Sequence, residues 1–314
     1  MDKRVYGILG ISSIMANWNA DFSGYPKTTS DGAVFGSDKA LKYPMKKMWD
    51  NEGRKVLYIK SMRFSDGKQG VTTLVPRSLK ERYEHIFQVE DLKECKDSKE
   101  VLTNLMNAID VKNFGATFAE AGNNFSITGA VQIGQGFNKY SNSKPEEQQI
   151  LSPFRDASDD GKEGKEEAKN STLGTKIVSN EAHYFYPFVI NPMAYKELIQ
   201  LGVTEGYTEE DYAQFKKAAL TSATSFATNS KEGCENEFAV FVETKQDAYL
   251  PNLTEYITFE KKDKNVISLQ FGELLEEMGD QILSVEIYYN PHTTVLEGEI
   301  KGAAVYNIIT QKEV

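Results

Sequence analysis

The order strand, helix, strand, strand, helix, strand predicts an α+β fold of the split βαβ kind, either RRM-like or ferredoxin-like. Three observations carry that reading. Residues 5–14 form a β-branched apolar run; residues 38–50 carry helical periodicity; and a capped helix from Thr208 leads into a second apolar strand. With the polar excursions set aside, the six elements fall at 4–14, 38–50 (or 98–109), 125–133, 183–190, 208–228 and 237–243.

Each element has a local reason. Val5 to Ile14 alternates branched residues with small ones, as a buried strand does. Asn17 to Phe35 is a Gly/Asn/Asp-rich loop, long enough to expect a function of it. Ser37 then offers an N-cap, with Asp38 favourably placed in the first turn. At about 100° per residue, Lys39, Lys42 and Lys46 share one sector of that helix, and Leu41, Met45 and Met48 the opposite one. Pro44 is expected to kink or restart it.

Val56 to Met62 reads as a strand, and 63–80 as a second loop carrying Arg63, Lys68, Arg77 and Lys80. Glu100 to Ile109 reads as a helix with Val101, Leu102, Leu105 and Ile109 on one face. Phe125 to Ile133 is strand-like and ends in Gly134-Gln-Gly136. Residues 141–171 hold almost no core formers apart from the island Ile150–Phe154. Such a composition cannot offset its ordering entropy, so a mobile excursion is expected, above all over 156–168. Strands follow at Thr175–Val178 and His183–Ile190, the second stopped by Asn191-Pro192. Thr208-Glu-Glu-Asp opens a helix to about Thr228, and 250–310 alternates strand-like runs with charged turns.

Charge is placed unevenly. The 314 residues carry a net −10, which disfavours a polyanion as partner. Yet residues 1–85 hold 15 Lys+Arg against 9 Asp+Glu, while 86–314 hold 21 against 37. Screening over roughly 8 Å lets a basic face work despite distant acid. A lysine row on one helix face suits a run of phosphates, although a solvated surface helix would look the same.

Other chemistries find little support. Cys95 and Cys234 make no disulfide framework and suit a reducing, cytoplasmic setting. The sequence opens Met1-Asp-Lys-Arg without a signal-peptide pattern, and no apolar run reaches the roughly 18 residues of a membrane span. His85, His183 and His292 lie far apart without ligand spacing, so no metal site and no cofactor are expected. His183 reads as a structural histidine. Gly129 to Gly136 lacks the Gly-Lys-Ser/Thr ending of a nucleotide loop. Asp21 and Asp31 are the best carboxylates for metal-dependent phosphodiester cleavage, and both also read as turn formers.

A series of motifs, in order, resembles one family. They are the first strand with Asn17-Trp-Asn-Ala-Asp21, the helix Ser37–Trp49, Asp110-Val-Lys-Asn-Phe-Gly115, Ile127–Ile133, and Ser171–Val178 followed by Tyr184-Phe-Tyr186. Together they resemble the repeated backbone subunit of type I CRISPR Cascade complexes, of the RAMP superfamily, and most the subtype I-B branch. The likeness runs from residue 4 to about 243.

That resemblance implies a single RRM-like palm over 1–314, with a finger-like insertion at 51–97, a thumb-like excursion at 135–176 and a β-rich extension at 244–314. It implies copies stacked along a CRISPR RNA, holding its backbone so that the bases stay free to pair with a target DNA strand. By family position Ser37, Lys39, Lys42 and Lys46, with Asn17, Asn19 and Gln135, would line the RNA backbone. Leu173 would wedge the guide–target duplex or anchor the thumb base. The acidic stretch 156–167 would repel phosphate and point outward. The partners implied are CRISPR RNA, the target strand, other copies and other Cascade subunits, with no membrane.

The leading reading is a non-enzymatic guide-binding subunit. Related subunits of type III effectors cut RNA with an aspartate in the loop after the first strand. A metal-dependent RNA endonuclease using Asp21 or Asp31 is therefore the runner-up. A general single-strand RNA binder with aromatic stacking platforms is the third.

Overall fold

The strand nearest the N-terminus buries both of its faces. Val5, Leu9 and Ile11 point one way and Tyr6 and Ile8 the other, all within the interior. A computed structural model describes residues 1–66, 71–151 and 173–314. Lys68 and the stretch 156–168 lie outside the described residues, as does the side chain of Leu173.

In chain order the first elements are β1 (Arg4–Ala16), β2 (Phe35–Gly36), α1 (Asp38–Asn51), β3 (Met62–Asp66), β4 (Thr72–Pro76) and α2 (Leu79–Phe87). Next come α3 (Ser98–Met106), α4 (Ile109–Phe114), β5 (Gly115–Glu120), β6 (Asn123–Thr128), β7 (Val131–Ile133) and β8 (Gly136–Asn138). They are followed by β9 (Pro145–Leu151), β10 (Leu173–Ile190), α5 (Lys196–Gln200), α6 (Glu209–Ser225) and β11 (Cys234–Thr244). The C-terminal part holds β12 (Ile257–Lys261), β13 (Asn265–Leu269), α7 (Gly272–Met278), β14 (Ile282–Tyr289), β15 (Thr294–Glu297) and β16 (Ala304–Asn307).

The chain is a mixture of helices and several sheets. Among the described residues the main sheet runs β16-β14-β11-β1-β10-β8-β2, with β7 and β9 also paired to β10. Its centre is antiparallel: Val5 faces Ile190 on β10, and Tyr6 faces Val242 on β11. One face of the sheet is covered by α1 and α6, which also pack on each other. Leu41, Met45 and Trp49 of α1 join Phe215 and Ala219 of α6 against Tyr184, Tyr186 and Phe188 of β10. The other face carries Phe185, Phe238 and Val240, covered by the small sheet β12-β13-β15 and by Leu275 of α7. A third apolar cluster joins Leu57, Tyr83, Val101, Leu105 and Phe118, away from the main sheet.

Several sequence expectations are corrected. Pro44 lies inside one continuous α1; it is buried with Leu41 and Met45, so packing outweighs the backbone donor it lacks. Of the strand expected over Val56–Met62, only Met62 is in one, as the first residue of β3; 56–61 are not. Backbone groups there go to side chains: Leu57 and Tyr58 N–H donate to the Asp110 carboxylate at 2.8 Å each, and Arg82 donates to the Val56 carbonyl. The described residues within 63–80 are not a loop: β3 pairs antiparallel with β4, and the start of α2 follows. Ser78 and Glu81 form a reciprocal capping box at that helix.

The run 125–133 is split at Gly129, where the chain passes so close to the backbone of Phe114 and Gly115 that a side chain would collide. Only β7 joins the main sheet, while β6 pairs with β5. The two strands expected at 175–178 and 183–190 are one, β10, whose first half pairs with β9 and second half with β1, β7 and β8.

Candidate nucleic-acid interface

The start of α1 is fixed from outside the helix. The Ser37 hydroxyl accepts the Ala40 N–H at 3.3 Å, and the Ser37 N–H donates to Asn19 Oδ1 at 2.8 Å. Gly36 precedes it because a side chain there would strike the Tyr186 hydroxyl and the Trp18 ring. Trp18 in turn donates its indole N–H to that hydroxyl at 2.5 Å. The loop after β1 therefore seats the helix against β10.

From this fixed start the lysine row looks onto a cleft of about 650 Å³. Asp38, Lys39, Lys42, Tyr43 and Lys46 form one wall. Tyr58, Phe114 and the β5–β6 hairpin, from Gly115 to Thr117 and at Ser126 and Ile127, form the other. The Tyr58 hydroxyl donates to the Thr117 carbonyl at 2.5 Å, which ties the far wall together. Burial, with the Asp110 charge, pushes the Tyr58 phenol up to about 12, so it stays a neutral donor.

The three lysines differ in freedom. Lys39 is exposed and pairs with no carboxylate among the described residues. Lys42 pairs with Asp38 at 2.8 Å and lies 5.1 Å over the Phe114 ring. An i,i+4 pair contributes about 0.5 kcal/mol or less, so a phosphate can displace Asp38. Lys46 is recessed: it donates to the Tyr58 carbonyl at 3.4 Å and faces Asp110 at 3.8 Å. Burial pulls its ammonium below the ordinary lysine range, with Asp110 opposing.

The other expected residues are placed differently. Asn17 is buried, its amide donating to the Gly24 and Ile177 carbonyls at 2.8 and 3.1 Å, so it shapes the loop from within. Gln135 is exposed between β7 and β8, next in register to the Gly36–Gly136 pair and outside the cleft lining. Leu173 opens β10 opposite Leu151. Arg63 is paired with Glu81, Lys80 with Glu84 and Asp91, and Arg77 donates to the Met62 carbonyl.

The loop aspartates serve turns. Asp21 Oδ1 accepts the N–H groups of Ser23 and Tyr25 at 2.8 and 3.0 Å. Asp31 accepts the Thr29 hydroxyl, and that bond holds its carboxyl below the ordinary range. Among the described residues, no three His, Cys, Asp or Glu side chains gather as a metal would need. No described helix is long and apolar enough to cross a membrane.

Sequence reasoning missed the far wall of the cleft. Asp110, Phe114 and Gly115 fall within the Asp110–Gly115 motif, which marks their importance without their geometry. Tyr58 carried no signal.

With the cleft in view, the chain can be compared with known proteins. Residues 3–274 match the family described as CRISPR-associated protein Cas7. The chain belongs to that family. The match takes in α1, the β5–β6 hairpin and the main-sheet strands from β1 to β11. The Cas7 chain is also similar in fold to a chain of a solved "CRISPR RNA-guided surveillance complex, pre-nicking". That likeness has a TM-score of 0.55 and 14% identity, and covers 96% of each chain. A chain from another solved "CRISPR RNA-guided surveillance complex" aligns at TM-score 0.46 and 14% identity, over 90% of this chain and 88% of that one. No curated protein matches the sequence.

Proposed function

We propose that this chain is the repeated guide-binding backbone subunit of a type I CRISPR interference (Cascade) complex, of the subtype I-B branch. The observation that carries the reading is the lysine row of α1 standing along an open cleft in a Cas7-family chain. Point charges spaced along a helix hold phosphates without reading bases, as a guide of arbitrary sequence requires.

In this reading the antiparallel order β11-β1-β10-β7, backed by α1 and α6, is an RRM-like palm. Residues 51–97 are its finger, 135–176 its thumb and 244–314 its β-rich extension. Lys39 and Lys42 contact the guide backbone directly. Lys46 adds charge from behind, Ser37 and Asn19 set the helix start, Asn17 shapes the loop, and Gln135 lies at its margin. Leu173, at the thumb base, is the wedge or the anchor. Copies stack along one CRISPR RNA in the cytoplasm, beside other Cascade subunits and a paired target DNA strand, and the subunit cuts nothing itself.

The test is to express the chain with the other subunits and a repeat array, purify through a tag on this chain, and sequence the bound RNA. Guide RNAs of uniform length, bound by several copies of the chain, are the expected result. Bound RNA indistinguishable from total cellular RNA would contradict the proposal and favour a general RNA binder.

A further inference from the structure

The turn before β11 grips the end of β1. Ile14 N–H donates to the Gly233 carbonyl and Asn17 N–H to the Ser230 carbonyl, both at 2.9 Å. Between those two bonds Met15 adopts a left-handed backbone with φ of 50°, a conformation that persists only where neighbours hold it. Gly233, at φ of 94°, completes the grip, since any side chain there would collide with the Ile14 carbonyl.

Lys231 lies at the middle of this turn. Its ammonium donates to two consecutive carbonyls, those of Asn17 and Trp18, and stands 5.6 Å from the centre of the Trp18 ring. Among the described residues no carboxylate pairs with it, and burial pulls it below the ordinary lysine range. An ammonium has three donors, and here two are used on backbone oxygens while the indole face supplies the electrostatic partner. A methionine of similar length would be easier to bury, but it could not tie two successive peptide oxygens.

What those peptides hold is the entry to α1. Trp18 is locked to Tyr186, and the next residue, Asn19, accepts the N–H of Ser37, the N-cap. An unbroken series of contacts thus runs from Lys231 through Trp18 and Asn19 to the first turn of α1, which bears Lys39, one turn before Lys42. We propose that Lys231 is a positioning residue for the lysine row: it fixes the loop after β1, and through Asn19 the first turn of α1, without touching RNA. The proposal rests on the reading of the cleft as an RNA site.

The experiment uses the full chain and an unstructured RNA oligonucleotide, with affinity measured across a salt series. Lys231→Met, Asn19→Ala, their double variant and Lys39→Ala are compared, with folding checked by circular dichroism. Lys231→Met is expected to bind several-fold more weakly with an unchanged salt slope, and the double variant little more weakly than the worse single one. A slope reduced by about 0.7, the loss of one single-strand phosphate contact, would overturn the proposal, because Lys231 would itself be a contact. Unchanged affinity, or effects that add, would overturn it as well.

Should Lys231→Met fail to fold, Asn19→Ala breaks the same path further on. It must weaken binding at constant slope, and unchanged affinity rejects the path. Lys39→Ala separates the two levels. If Lys39→Ala loses slope while Lys231→Met behaves as wild type, only this inference fails. If Lys39→Ala is also indistinguishable from wild type, the cleft is not the RNA site and both readings fail.

Discussion

The ammonium of Lys46 lies 3.8 Å from Oδ2 of Asp110, a carboxylate with no solvent exposure. The same carboxylate accepts the N–H groups of Leu57 and Tyr58. One buried anion therefore organises both walls of the cleft, holding the recessed lysine of α1 and the backbone that presents Tyr58. The row that looks uniform on a helical wheel is graded, from an open Lys39 to a Lys46 that belongs to the interior.

Asp110→Ala removes three partners at once and leaves a lysine charge and two amides unpaired in the interior. A destabilisation of about 3–5 kcal/mol is expected, the range for breaking a buried charge pair, read as a lower urea midpoint. A loss below about 1 kcal/mol would mean that water reaches those groups.

Ser37→Ala removes the N-cap hydroxyl but keeps the backbone N–H that Asn19 holds. It should cost about 1 kcal/mol in thermal or urea unfolding. Ser37→Asp should recover most of that loss, since a carboxylate caps as well and complements the helix N-terminus.

His183 supplies a pH test. Its imidazole lies between Glu237 and Glu181 at 2.8 and 3.0 Å and stacks on Phe259 at 4.0 Å, joining β10 to β11 and to β12. Lys261 of β12 pairs with Glu181, and Tyr140 meets the ring edge-on. Burial alone would lower the imidazole, but the two carboxylates outweigh it and raise it above 6.5. A raised histidine contributes stability that is complete below its unfolded pKa and is lost as pH rises through the folded one. Melting temperature should therefore fall as pH climbs above 6.5, and His183→Gln should flatten that slope. An identical pH profile in the variant would show that the ring is neutral throughout.

Asp21 and Asp31 make turn hydrogen bonds that asparagine can also make. Asp21→Asn and Asp31→Asn should leave assembly and DNA targeting intact, and the wild-type complex should not cut paired RNA at regular intervals. Periodic, Mg²⁺-dependent cleavage abolished by either change would promote the endonuclease reading, since a metal ligand cannot be so replaced.

Local signals were legible where one residue decides the outcome. Ser37 and Thr208 announced their helices as caps, and the branched and small residues from Val5 to Ile14 announced a buried strand, although Ile14 at its end is exposed. The capping box Ser78–Glu81 is equally local, but it stands among basic residues whose pattern resembles a loop. Val56–Met62 misled because its apolar pattern fits a strand, while its hydrogen bonds go to Asp110 and Arg82, far along the chain. The cleft has the same limit. The lysine wall is one helix and can be read by periodicity. The opposite wall needs Tyr58, Phe114 and a hairpin brought together by tertiary contacts.

The central claim, that the open end of the lysine row holds RNA phosphates, is tested most directly by the salt dependence of RNA binding. Wild type, Lys39→Ala and Lys46→Ala should each be titrated with two single-stranded RNAs of unrelated sequence. Lys39→Ala should lower the slope of log affinity against log salt by about 0.7 for both RNAs alike, while Lys46→Ala should change stability more than slope. An unchanged slope for Lys39→Ala, or a loss confined to one RNA sequence, would contradict the account.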